Sequence, residues 1–185
     1  TVEICSSFDK VTNVTKQKDL ILDETRDRNY LFENARKLDP DFILSVDGDE
    51  IFMPDASEML FEELFTIHPV SDVFEFQFLT LWDNVNTIRT DGIFGYYWQK
   101  RLLRMKNQPL SVLFVENDNP GNIHCGSIPP SSTGFNSSAK SSVKIFHLAS
   151  LDDKMRKHKY DYYTKTDPDS VLTGGYKHMV SGEGE

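Results

Sequence analysis

Apolar and polar positions along this chain switch between strand and helix periods. Val2-Glu3-Ile4-Cys5 reads as a short strand before a polar turn, and residues 18–22 read as a second, minor one. From Thr25 the pattern is helical, with Leu31, Ala35 and Leu38 on one face, Thr25 placed to cap and Asp39-Pro40 placed to stop it. Phe42-Ile43-Leu44-Ser45-Val46 is an almost unbroken apolar run, which suits a strand buried on both faces, as in a parallel sheet. It ends abruptly in Asp47-Gly48-Asp49-Glu50. A second helix, opened by Pro54-Asp55 and carrying Met59, Leu60 and Leu64, follows to His68-Pro69. Strand, helix, strand, acidic turn and helix predict an α/β fold.

The second half is richer in strand patterns. Phe74, Phe76 and Phe78 alternate with Val73, Glu75 and Gln77 within residues 73–82, and further strands are expected at 96–105, 110–116 and 143–147. Residues 129–142 read as a Ser/Gly loop, and a charged helix is expected at 152–165. No repeat or linker divides the chain, so residues 1–185 are read as a single domain.

Composition narrows the possible partners. Twenty Lys and Arg stand against 29 Asp and Glu, a net charge of −9, whereas affinity for nucleic acid rests on neutralising phosphates with basic residues. Nucleic acid is therefore excluded as the expected partner. No apolar stretch reaches the roughly 18–20 residues of a membrane span, and no signal pattern opens the chain, so a cytoplasmic protein without a membrane span is expected. Cys5 and Cys125 are too few for a disulfide framework or a four-cysteine zinc site.

The acidic turn carries the candidate chemistry. Three carboxylates within four residues repel one another unless a cation or solvent relieves them, and Mg²⁺ or Mn²⁺ suits an oxygen-rich site that also holds phosphates. An EF-hand is ruled out, because Ile51 and Phe52 stand where that loop needs a ligand and a glycine. A solvated acidic turn is the plainer alternative.

The surrounding residues add to this. The segment Asp27-Arg28-Asn29-Tyr30-Leu31, continuing through Ala35 to Pro40-Asp41-Phe42 and on to Asp47-Gly48-Asp49-Glu50-Ile51-Phe52, resembles the centre of family 2 glycosyltransferases with the GT-A fold. In that family an Arg-Asn pair opens a helix leading to a buried strand that ends in an Asp-x-Asp signature. Here these are Arg28-Asn29 and Asp47-Gly48-Asp49. Downstream, Phe146-His147-Leu148, the helix with Arg156, Lys157 and Tyr160, Asp167-Pro168 and Gly175-Tyr176-Lys177-His178 resemble the C-terminal segment of compact bacterial and viral members. Trp82, Arg89, Asp91, Trp98, Arg101 and Arg104 fall between in a similar order.

The resemblance implies a GT-A domain with a central mixed, mainly parallel sheet flanked by helices, lacking the family's usual first strand-helix unit. It implies transfer of a sugar from a UDP-sugar to a glycan or glycoconjugate hydroxyl, with inversion, using Mn²⁺ or Mg²⁺. By analogy Asp49, Asp47 and His147 hold the metal, and Arg28, Asp47 and Gly48 contact the donor. An inverting transferase needs a carboxylate to take the acceptor proton. Asp83 and Asp91 are the candidates, near Trp82, whose ring is a candidate sugar platform. Lys154, Arg156, Lys157 and Lys159 on the last helix read either as a lid over the diphosphate or as a solvated face. A magnesium-dependent nucleotidyltransferase and a noncatalytic α/β binding domain are the alternatives.

Overall fold

The computed structural model describes residues 2–11, 13–16, 23–106, 108, 113–114, 125–130, 137–168 and 175–181. The minor strand expected at 18–22 and nearly all of that at 110–116 lie outside these residues. The expected first strand is instead a short helix, α1 (Val2–Ser6). A strand needs a neighbour to satisfy its backbone. None pairs here among the described residues, and Ser7 N donates to Ile4 O at 3.1 Å and Phe8 N to Cys5 O at 3.2 Å.

Helix α2 (Glu24–Arg36) is capped by Asp23, whose carboxylate accepts from Arg26 N at 2.9 Å. Thr25 is not the cap; it is buried with Phe32, while Leu31 and Leu38 are exposed. The buried stripe is thus rotated from the one read by leucine spacing. Strand β1 (Phe42–Leu44) is followed by β2 (Glu50–Phe52), then α3 (Ala56–Glu62), which continues as a wider turn over Glu63–Ile67. Strand β3 (Val73–Thr80), β4 (Trp98–Arg104), β5 (Ser138–His147) and helix α4 (Asp153–Thr166) complete the frame. Strand β5 begins five residues before the one expected at 143–147, inside the segment read as a Ser/Gly loop.

The five strands form one mixed sheet in the order β1-β4-β3-β5-β2. The α/β class and the mixed sheet are as expected, but the sheet is not mainly parallel: only β3 and β5 pair in parallel, and the other three pairings are antiparallel. Nor is the apolar strand β1 central among the described strands. It lies at an edge with Leu44 exposed, and alternating β3 takes the middle.

The alternation in β3 explains that position. Phe74, Phe76 and Phe78 point to one face, where they pack with Leu102, Val143, Ile145 and Leu64. Full burial of each such ring contributes about 2–3 kcal/mol. Val73 and Leu103 face the other side, against Phe32 of α2. Helices therefore cover both faces, and the polar β3 positions pair sideways: Ser138 Oγ donates to Glu75 at 2.6 Å and Lys144 Nζ to Gln77 Oε1 at 2.6 Å.

Helix α4 contains no fully buried residue, so its start depends strongly on the Asp152 cap, which accepts from Met155 N at 2.7 Å. Replacing Asp152 with Ala is expected to cost about 1 kcal/mol in urea unfolding, with Asn restoring most of it. An unchanged midpoint in the Ala variant would show that the cap carries no stability.

Candidate functional site

Strands β1, β3 and β5 run in the same direction, because β1 and β3 are each antiparallel to β4 while β5 is parallel to β3. Their carboxyl ends open on one rim of the sheet, the place where α/β sheets bind ligands. The chain must travel along this rim from β1 at one edge to β2 at the other. Asp47-Gly48-Asp49 spans that crossing, so successive residues meet successive strands. Asp47 meets Arg101 of β4, and Asp49 meets His147 at the end of β5. Leu148 N fixes the far side by donating to Asp49 O at 2.8 Å. A side chain at Gly48 would meet no atom within 4 Å, so the middle of the crossing is open.

The three carboxylates are relieved in different ways. Asp47 accepts from Arg101 at 3.0 Å and from Arg28 at 3.3 Å. Glu50, almost wholly buried, accepts from the same Arg101 guanidinium and receives Asp47 N at 3.1 Å. Burial pushes the Glu50 carboxyl pKa up, against the pull of the Asp47 backbone N–H and the Arg101 charge. Arg101 also donates to Ser127 and lies over the Phe78 ring at 5.1 Å, while its buried Nε has no partner among the described residues. Arg28 donates to Glu24 at 2.6 Å and to Ser45 at 3.4 Å. Burial lowers its pKa, but the Glu24 bond and the Asp47 and Glu24 charges outweigh that and raise it overall.

Asp49 has no arginine partner among the described residues. Its Oδ2 lies 3.4 Å from His147 Nε2 and 3.5 Å from Lys159 Nζ. The His147 hydrogen bond, reinforced by the charges of His147 and Lys159 and opposed by partial burial, holds its carboxyl well below the usual range. Two ligand atoms about 2.1 Å from a common octahedral ion stand roughly 3 Å apart. The 3.4 Å separation of Asp49 Oδ2 and His147 Nε2 is close to that spacing. Asp47 does not join them. Among the described residues no three His, Cys, Asp or Glu side chains are grouped to hold a metal, and Asp47 is turned toward the two guanidiniums. Of the three residues expected to hold a metal, the structure brings Asp49 and His147 together and leaves Asp47 apart from them.

Two hollows flank the crossing and share Tyr162 and Tyr163 of α4. One, of about 390 Å³, is polar and is lined by Arg28, Asp47, Tyr97, Gln99 and Arg101. The other, of about 360 Å³, holds Asp49, Met155, His158 and Lys159. The Asp-x-Asp signature places one carboxylate in each.

Asp83 and Asp91 both bind arginines. Asp83 pairs with Arg156 at 2.6 Å, and its N donates to Ser150 O at 3.3 Å, just beyond His147. Asp91 is held by two nitrogens of Arg89, one at 2.9 Å, and this bond lowers its pKa, which weakens it as a base. The ring of Trp82 is no sugar platform. It is buried, and the Arg89 and Arg156 guanidiniums lie 4.2 Å and 4.4 Å from its centre. The basic face of α4 divides likewise: Arg156 binds Asp83, Lys157 pairs with Asp161 at 3.1 Å, and Lys159 reaches Asp49.

Arg101 is the organising residue that sequence reading gave no role. One Arg inside a strand carries no local mark of which carboxylates it will meet. Comparisons with protein-family models, curated proteins and solved structures return no match. No helix among the described residues is long and apolar enough to cross a membrane.

Proposed function

We propose that this protein is a metal-dependent glycosyltransferase of GT-A type that moves a sugar from a UDP-sugar to a glycan or glycoconjugate hydroxyl, with inversion. The observation that carries this reading is the division of Asp47-Gly48-Asp49 between an arginine-lined cleft and a carboxylate–histidine pair at the ends of co-directional strands. Asp49 and His147 would hold Mn²⁺ or Mg²⁺, which when bound supplies Lewis-acid relief of charge on the departing diphosphate. Arg28 and Arg101 hold Asp47 at the polar cleft, where it would meet the donor nucleoside. Tyr97, Tyr162 and Tyr163 wall that cleft. In the transfer the acceptor oxygen bonds to the anomeric carbon as the bond from that carbon to the diphosphate oxygen breaks. The acceptor proton passes to a carboxylate. We assign it to Asp83, which like Asp91 is paired with an arginine, because its backbone joins the segment that follows His147.

The test is thermal unfolding with MnCl₂ and UDP together. At a hundred times the dissociation constant, binding stabilises a fold by about 2.7 kcal/mol, which for a chain of this size is a rise of roughly 5–10 °C. UDP with EDTA should give no comparable rise. A melting temperature unmoved by UDP, GDP or UTP with either metal would remove the transferase reading and the nucleotidyltransferase one together.

A further inference from the structure

Lys159 stands where a second cation would otherwise be needed. Its Nζ and His147 Nε2 approach the same oxygen, Asp49 Oδ2, at 3.5 Å and 3.4 Å. Its helical neighbours are committed elsewhere, Arg156 to Asp83 and the Ser150 carbonyl, and Lys157 to Asp161. The helix itself is pinned near both ends, by Arg156 and by the stack of Tyr163 on Tyr176 at 5.2 Å. Lys159 is therefore free to change partner without moving α4, since a lysine is a point charge on a flexible four-carbon stem. The hollow of about 360 Å³ beside it gives that side chain somewhere to go.

We propose that Lys159 is the resident counter-cation of Asp49 and makes metal loading depend on the nucleoside diphosphate. This rests on the reading of Asp49 and His147 as the metal pair. With Lys159 on Asp49, the carboxylate is already neutralised and a bare divalent cation meets a competing ammonium 3.5 Å away. A diphosphate entering beside Asp49 offers Lys159 a second anionic partner, so the lysine releases Asp49 as the nucleotide arrives. Bare metal then binds weakly and metal with nucleotide binds well, which is a positive coupling between the two ligands. Asp49 keeps a cationic partner in both states.

The experiment measures that coupling by calorimetry, titrating MnCl₂ into the protein with and without saturating UDP. Lys159→Met is expected to bind bare Mn²⁺ roughly fivefold more tightly than the original chain, the scale of a partly exposed ion pair, and to show a correspondingly smaller gain on adding UDP. Lys157→Met removes the same charge from the outer side of the helix and should change neither quantity. As a direct readout, acetylation of Lys159 by an amine reagent, followed by mass spectrometry, should slow about threefold when Mn²⁺ and UDP are both present, because the lysine then sits on the bound diphosphate. Equal Mn²⁺ affinity in the original chain and Lys159→Met, or equal effects from Lys157→Met, would overturn the role of Lys159 while leaving the metal pair standing. Absence of Mn²⁺ uptake by every variant, with or without UDP, would overturn the metal pair as well.

Discussion

Asp49→Ala is expected to abolish the metal-dependent stabilisation by UDP and to lower sugar transfer by about a thousandfold or more. The reason is the unequal treatment of the three carboxylates. Asp47 and Glu50 already have guanidinium partners, whereas among the described residues Asp49 faces an imidazole and an ammonium. It is the acidic side chain of the turn in contact with His147, so its loss removes half of the proposed metal pair. Electrostatic relief of a leaving group typically accounts for several kcal/mol of barrier, and each 1.4 kcal/mol is a factor of ten in rate. Asp47→Ala should behave differently. It should weaken nucleotide binding and leave Mn²⁺ affinity within about twofold, because Asp47 is turned away from His147. The check is a paired titration of both variants with MnCl₂, followed by product analysis with UDP-sugars. Equal loss of Mn²⁺ binding in the two variants would mean that the turn binds metal as one cluster, with Asp47 turning from its arginines to join Asp49.

The second large effect concerns stability. Arg101→Met should destabilise the fold by about 3–5 kcal/mol, the usual cost of leaving one member of a buried ion pair without its partner. The side chains of Arg101 and Glu50 are 5% and 1% exposed, so water cannot replace the lost contact. Asp47, at 39%, is better able to turn to solvent and should account for little of the loss. Pairing Arg101→Met with Glu50→Gln should recover much of the stability, because no charge is then buried alone, and the double-mutant cycle isolates the coupling. Urea unfolding of the two single variants and the double variant makes the comparison. If the double variant is no more stable than Arg101→Met, the loss comes from packing over Phe78 and not from the stranded carboxylate.

Much of the fold was legible because it follows from local chemistry. The alternation of Phe74, Phe76 and Phe78 with polar residues requires a strand with one apolar face, and it forms the middle of the sheet. The helical stretches at α2, α3 and α4 were read to within a few residues, since Asp-Pro and His-Pro stops act on the nearest turns. Errors arose where a residue's state depends on distant partners. Residues 2–5 carry strand propensity without a strand to pair with, and they close their own hydrogen bonds as a helix. The apolar run of β1 looked central because its burial was inferred from composition, whereas the order of strands is set by how the whole chain crosses the sheet. Strand β2 was hidden inside the acidic turn for the same reason: Glu50 pairs with His147 across 97 residues of chain, and no local pattern announces it.

The same division holds at the site. By itself the sequence determined that an acidic turn follows an apolar strand, that Asp47, Gly48 and Asp49 stand together in it, and that His147 closes a late strand. Only the tertiary structure decided that the turn runs along the rim of the sheet, so that Asp47 and Asp49 are delivered to different strands. That crossing assigns Asp47 and Glu50 to Arg101, and Asp49 to His147 and Lys159. The physical reason is range: turn and strand preferences act over a few residues, while the sharing of charges depends on which distant side chains the folded sheet brings within a few ångströms.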